Sequence, residues 1–378
     1  MSSPLTGLQI QSHLTPEAEL YLSLVRVPVP EPAAEEVVIR IEAAPINPSD
    51  ISAMMGPADI SQIRAEGSGD AVRVVIPMSQ SAMAAMSGKV GQKVPAGIEG
   101  AGVVVAAGSS DAAQALIGKV VSLSPIGGMY AQYCVANVAD LLVMKDGTTP
   151  VEAASSFVNP MTALGMMETV RREGHTALVH TAAASNLGQM LNRLCLADGV
   201  PIVNVVRTEA QAGILQELGA AHILNSTSPT FLEELNRAVA VVGATICFDV
   251  VGGGKLASQI LTVMEAAQAG KLSGYHRYGS SVHKQLYISG LLDPSPTELT
   301  HSYGLAWGIG GWLLINFLAR TDAETIARLK ARVADEITTT FASHYTRQIS
   351  LREALDPEII AAYRRRATGE KYLVAPQL

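Results

Sequence analysis

The chain has 378 residues, too many for one small core, so two domains are the expectation. Hydrophobic residues make up 48% and charged residues 16%, which excludes a disordered chain. A formal net charge of −7 leaves no basic surface for nucleic acid or an anionic membrane.

Cys134, Cys195 and Cys247 are odd in number and widely spaced. They suit neither a disulfide framework nor a zinc knuckle, and point to a reducing compartment. The opening MSSPLTGLQI lacks a basic segment followed by an apolar one, and the apolar run 310–318 is too short to span a bilayer. A soluble cytoplasmic protein is expected.

In chain order, residues 37–44 are rich in Val and Ile, end at Pro45 and Pro48, and predict a strand. Strands over 102–107, 119–123, 129–136 and 141–144 follow, separated by Gly, Ser, Pro and Asp. Such spacing predicts a compact β-barrel or sandwich. The Met-, Ser- and Gly-rich stretch 53–95 shows little periodicity and reads as a long excursion of the kind that covers a site.

From about Ala153 strands alternate with helices: strand 177–181, helix 187–197, strand 201–206, helix 209–218 stopped by Gly219. Strand 222–224, helix 230–241, strand 245–250 and the turn Gly252-Gly253-Gly254 come next. This alternation predicts a parallel sheet with right-handed crossovers. Residues 285–289 read as one more strand, preceded by a helix extension over 265–284, and 323–340 as a late helix.

The stretch VHTAAASNLGQM (179–190) stands where a dinucleotide fold has G-x-G-x-x-G, yet its three slots are Ala183, Ser185 and Gly188. Alanine and serine are small enough for a close backbone approach, and Ser185 and Asn186 can donate hydrogen bonds of their own. The turn residues Ala184, Ser185, Asn186 and Leu187 are thus candidates for the phosphates, against the alternative of a generic strand-to-helix turn. Nineteen residues beyond Gly188 stands Arg207 in NVVRTE. An acidic residue there reads the ribose hydroxyl of NAD, whereas an arginine suits the 2′-phosphate of NADP(H). Its alternative is a solvated surface arginine.

Five segments in order, AAPINPSDI (43–51), GIEGAGVVVAAGS (97–109), GGMYAQYCV (127–135), FVNPMTALGMM (157–167) and DVVGGG (249–254), resemble the medium-chain dehydrogenase/reductase superfamily. The branch is similar to zinc-free quinone oxidoreductases and 2-enoyl thioester reductases. The resemblance implies an α/β protein with a GroES-like β-barrel catalytic domain (1–155 and 320–378) and a Rossmann NADP-binding domain (156–319). It further implies a homodimer with the cofactor between the domains.

Zinc-dependent members carry Cys where this chain has Asn47, and His where it has Ile98. Their third ligand falls near Val158 and Asn159, so no set of three ligands survives and no metal is expected. The resemblance implies NADPH-dependent hydride delivery, without zinc, to a small electrophilic acceptor, a quinone or activated enone. A 2-enoyl thioester reductase is the alternative, and a non-catalytic NADPH-binding protein a third reading.

Asn47, in the former ligand slot, is a candidate to face nicotinamide or acceptor, or else a turn residue before Pro48; Asp50 is expected to hold that turn. The enoyl reductases have a tyrosine soon after INPSD, and none occurs over 51–60. Tyr130 or Tyr133 could replace it, although strand packing explains both. Asn159 and Thr162 match positions near the nicotinamide, with helix capping as their alternative. Lys371 in ATGEK matches a lysine that contacts NADP. Ser289, Gly290 and Leu291, after strand 285–289 rather than 272–275, are expected to approach the nicotinamide. Trp307 reads as core, His276, His283 and His301 carry no role, and Arg364-Arg365-Arg366 reads as a solvated helix end.

Overall fold

The computed structural model describes residues 4–124 and 128–378. Gly127, the first residue of GGMYAQYCV, lies outside them. The chain divides into two compact units, Met1–Val158 with Lys330–Leu378, and Asn159–Leu329.

The strands run in chain order as β1 (Thr6–Leu14), β2 (Glu19–Pro28), β3 (Glu36–Pro45), β4 (Arg64–Glu66), β5 (Arg73–Pro77), β6 (Lys93–Pro95), β7 (Gly100–Ala107), β8 (Val120–Leu123), β9 (Tyr133–Asn137) and β10 (Leu142–Val143). The second unit has β11 (Leu178–Thr181), β12 (Ile202–Val206), β13 (His222–Asn225), β14 (Ile246–Asp249), β15 (Lys284–Ile288) and β16 (Trp307–Gly311). The returning chain adds β17 (Arg347–Ile349) and β18 (Tyr372–Val374) to the first unit.

In the first unit one sheet has the order β4-β5-β2-β1-β6. The other runs β10-β8-β7-β3-β18-β17, with β9 also paired to β3. Their shared core takes alternate residues of β1 (Leu8, Ile10, Leu14) and β2 (Leu20, Leu22, Leu24), as period-two side-chain alternation requires.

Two expectations fail here. The strands β1 and β2 were not anticipated, because other residues interleave their apolar ones, Gln9, Gln11 and His13 in β1 and Tyr21 and Ser23 in β2. The stretch 53–95 is no loose excursion: β5 lies inside the first sheet between β4 and β2, and Val74, Val75 and Ile76 are fully buried. Met54, Met55, Met78 and Met86 from the same stretch fill the core, where unbranched thioethers pack without a β-strand signature.

The second unit is one parallel sheet in the order β13-β12-β11-β14-β15-β16. In chain order within the unit that is 3-2-1-4-5-6, the doubly wound Rossmann arrangement. Buried Val179, Val203, Val205, Cys247 and Leu286 form its core with Ile260, Leu261 and Met264 of the helix Leu256–Ala269. That helix stops at Gly270, so 265–284 is not the expected extension. Gly274 and Gly279 take φ values of 86° and 79°, which helix excludes and glycine tolerates. Buried Glu265 instead ties the turn down, accepting from Ser280 N at 2.7 Å, Ser280 Oγ at 2.8 Å and the Lys284 ammonium.

Candidate active site

In the second unit the site starts where the strand order reverses, at the carboxyl ends of β11 and β14. Thr181 Oγ1 donates to Asp249 Oδ1 at 2.7 Å, and Asp249 also accepts from Val251 N at 2.9 Å and Gly252 N at 3.2 Å. This lock fixes both strand ends, and such a switch point is where open α/β sheets bind ligands.

The turn after β11 resolves the question raised by its missing glycines. A Cβ on Gly188 would lie 2.2 Å from the Ala183 carbonyl oxygen, so this slot admits only glycine. Ala183 is fully buried and close-packed as it stands. Ser185 is the N-cap of the helix Asn186–Asp198, its Oγ accepting from Gly188 N at 3.2 Å. A hydroxyl that accepts as a cap still has its proton to donate to an anion at the helix N-terminus. Backbone bending is carried by Ala182, at φ 51°, outside all three fingerprint slots. The turn thus fits a pyrophosphate through Ala184, Ser185, Asn186 and Leu187.

Arg207 follows β12 and is exposed. Its main chain is fixed by Gln211 Oε1 at 2.8 Å and Thr227 Oγ1 at 3.4 Å, whereas its guanidinium has no partner among the described residues. Asn159 and Thr162 lie half-buried on one face of the first turns of the helix Val158–Arg172.

A groove of about 570 Å³ opens at the carboxyl ends of β15 and β16, lined by residues 288–291 and 309–311. Ser289, Gly290 and Leu291 form one wall. A Cβ on Gly290 would meet Val250 O at 2.7 Å, which explains glycine there. Residues 272–275 form no strand, in line with the preference for 285–289.

The first unit holds a buried polar cluster. Asn47 caps the helix Pro48–Met55 and is 3% exposed. Its backbone N–H donates to Asp50 Oδ2 at 2.9 Å, and Ile98 N donates to Asp50 Oδ1 at 2.7 Å, so Asp50 does hold the turn. Asn47 Nδ2 donates to Glu99 Oε1 at 2.8 Å. The other oxygen of Glu99 accepts from Phe157 N at 2.9 Å and Val158 N at 2.8 Å. Burial pushes the Glu99 carboxyl up, while Lys371, the two amides and Asn47 pull it back. Half-buried Lys371 donates to Ser155 Oγ at 2.7 Å, and Tyr345 Oη reaches the same oxygen at 2.9 Å.

Tyr130 is a correction. It is 1% exposed and its hydroxyl donates to Pro45 O at 3.0 Å, so it packs the core instead of presenting a donor to a ligand. It also precedes β9 instead of belonging to it, since the strand predicted over 129–136 begins at Tyr133.

Asp50 gives the cluster a pH signature. Burial raises its carboxyl to about 7 from the ordinary 3.8, against the pull of the Asn47 and Ile98 amides. The folded chain therefore keeps a proton that the unfolded chain releases. That contribution to stability is complete below 3.8 and is lost as pH rises to about 7. Asp50→Asn should shrink the change in urea midpoint between about pH 4 and pH 7. An unchanged difference would exclude Asp50 as its source.

No family model matches the chain. It is 30% identical over 258 residues to the mitochondrial enoyl-[acyl-carrier-protein] reductase of Caenorhabditis elegans, covering 65% of this chain and 64% of that one. The Arabidopsis thaliana mitochondrial enoyl-[acyl-carrier-protein] reductase is 29% identical over 235 residues, 60% of this chain and 54% of that one. The chain thus spans less than two thirds of these curated relatives. Over its full length it superposes on a protein of Mesorhizobium loti assigned as an NADPH:quinone reductase, with TM-score 0.73, 26% identity and 100% of both chains covered. Escherichia coli quinone oxidoreductase, solved with NADPH, shares the fold at TM-score 0.68 and 18% identity, covering 98% of this chain and 100% of that one.

The chain is thus similar to enoyl-[acyl-carrier-protein] reductases in sequence and shares the fold of NADPH:quinone reductases.

Sequence reasoning named Asn47 and Lys371 and missed the residues that hold them. Glu99 accepts from Asn47, and Ser155 accepts from both Lys371 and Tyr345. A lone carboxylate inside the glycine-rich GIEGAG was the one visible signal. Thr181 and Asp249 were missed too, although a polar residue ending each of two apolar strands marks the switch point. Among the described residues, no group of three His, Cys, Asp or Glu side chains is placed to hold a metal ion. No helix of the described residues is long and apolar enough to cross a membrane.

Proposed function

We propose that the chain is an NADPH-dependent oxidoreductase that reduces a quinone or an activated enone without zinc. The observation that carries this reading is the turn closed by Gly188 together with the Arg207 guanidinium at the end of β12, which has no partner among the described residues. NADPH supplies a hydride when bound. Ser185, with the amides of the turn, holds its pyrophosphate, and Arg207 its 2′-phosphate. Asn159, Thr162 and the wall Ser289-Gly290-Leu291 are assigned to the nicotinamide half. Glu99 holds the side-chain amide of Asn47 in place.

A second reading, a 2-enoyl thioester reductase, is favoured by the curated relatives, which are enoyl-[acyl-carrier-protein] reductases. Against it stands the lack of tyrosine over 51–60. Both readings carry a homodimer by family analogy. A cytoplasmic setting suits Cys134, Cys195 and Cys247, which are all free thiols.

Stopped-flow oxidation of NADPH against ortho- and para-quinones, enones and crotonyl thioesters separates the readings. Quinones and enones should react fastest, and a chelator should not slow them. Preference for the thioester would favour the second reading. Tight NADPH binding with no oxidation by any acceptor would leave a binding protein.

A further inference from the structure

The second unit holds another cavity, apart from the phosphate turn. It encloses about 220 Å³ beside the end of the helix Val158–Arg172, the strands β15 and β16 and the helix Leu314–Ala319. It shares only Gly311 with the groove of about 570 Å³, and neither residues 182–188 nor Arg207 line it. Pockets for drug-sized ligands run to ~300–1,000 Å³, so this one suits a smaller molecule. Its wall is aromatic. Tyr287 stacks on Phe248 with ring centres 5.8 Å apart, and Trp312 stacks on Phe317 at 5.8 Å. Trp312 Nε1 donates to Thr169 Oγ1 at 3.1 Å, which fixes the indole at the cavity. Walls of this kind favour a further flat ring.

The rim is polar, and its groups differ in what they have left to offer. Arg172 is committed. Its guanidinium lies 5.4 Å from the centre of the Phe317 ring and donates to Glu168 Oε1 at 3.1 Å and Thr321 Oγ1 at 3.2 Å. Glu173 is committed too, accepting from Tyr287 Oη at 2.5 Å. Arg320, by contrast, is exposed, and its guanidinium has no partner among the described residues. Asn316 stands four residues earlier, on the same helical face, and its side-chain amide likewise has no partner among the described residues. A guanidinium is a planar fork that matches a carboxylate. One unpaired cation beside the carboxylate of Glu173 suits a monoanion and disfavours the second charge of a phosphate.

We infer that this cavity is a second ligand site, which takes a small aromatic carboxylate. Its carboxylate pairs with Arg320 and accepts from the Asn316 amide, and its ring lies against Tyr287 and Trp312. The site goes beyond the reductase reading and does not depend on it.

Nitrogen-15 NMR of the indole N–H groups tests the site on the full chain, with benzoate as the probe. The chain has two tryptophans, and Trp307→Phe identifies the signal of Trp312. Benzoate should shift the Trp312 signal saturably and leave that of Trp307, which does not line the cavity, in place. Benzamide keeps the ring and loses the charge, whereas acetate keeps the charge and loses the ring. Each should bind at least ~10-fold more weakly than benzoate. Arg320→Ala should weaken benzoate by ~10-fold or more, and the fold should persist because that guanidinium holds no other group among the described residues. Saturating NADPH should not displace benzoate. The site would be overturned by the lack of a saturable Trp312 shift, by an affinity unchanged in Arg320→Ala, by benzamide or acetate matching benzoate, or by displacement with NADPH. A protein that binds benzoate as expected yet reduces no quinone, enone or thioester would keep the site and lose the reductase reading.

Discussion

Replacing Arg207 by glutamate should raise KM for NADPH at least ~10-fold more than KM for NADH. The two cofactors differ only at the 2′ position, so the variant isolates the contact assigned to this guanidinium. Each charge-assisted bond to a phosphate contributes about 1.5–3 kcal/mol, and about 1.4 kcal/mol is a factor of ten. A glutamate would also repel the 2′-phosphate, while accepting from the ribose hydroxyl of NADH. The fold should survive, because Gln211 and Thr227 hold the main chain of Arg207 and not its side chain. Paired steady-state titrations decide the matter: equal effects on both cofactors would strip Arg207 of the role.

Glu99→Gln should lower the unfolding free energy by about 3 kcal/mol, with the urea m-value unchanged. The carboxylate receives Asn47 Nδ2 on one oxygen and two amide N–H groups on the other. Glutamine retains one acceptor oxygen and turns an NH2 group toward donors, so at least one buried N–H loses its partner. The same change removes the negative charge that steadies the Lys371 ammonium. The Lys371 titration should therefore move below about 8, whereas a purely mechanical role for Glu99 would leave it in place. The combined shift in stability and lysine midpoint separates electrostatic from packing effects.

From β11 to β14 the second unit was legible element by element, because parallel strands buried on both faces read as short apolar runs between helices with clear stops, whereas β16, whose five residues include three glycines, was not anticipated. Gly219, at φ 83°, ends its helix by the same chemistry that made it readable in the sequence. The first unit was legible only where Val and Ile cluster, as in β3. Strand β1 escaped because its signal is alternation alone: Leu8, Ile10, Ser12 and Leu14 face inward between Gln9, Gln11 and His13. At the site, single residues such as Arg207 and Ser185 stood at countable distances from a motif. The Glu99 and Ser155 contacts were invisible for the opposite reason. Their members come from positions 47, 99, 155, 345 and 371, and only tertiary folding makes them neighbours.

Ala182 sets a limit on how this protein can be engineered for heat resistance. A left-handed alanine costs roughly 1 kcal/mol that glycine would not incur. A library selected on melting temperature alone would thus be drawn to position 182, in the turn that leads into the helix Asn186–Asp198. The glycine that relieves the strain would also loosen the backbone leading into Ser185. Screens of this scaffold should therefore score dinucleotide affinity alongside thermal tolerance, since the two properties meet at a single peptide unit.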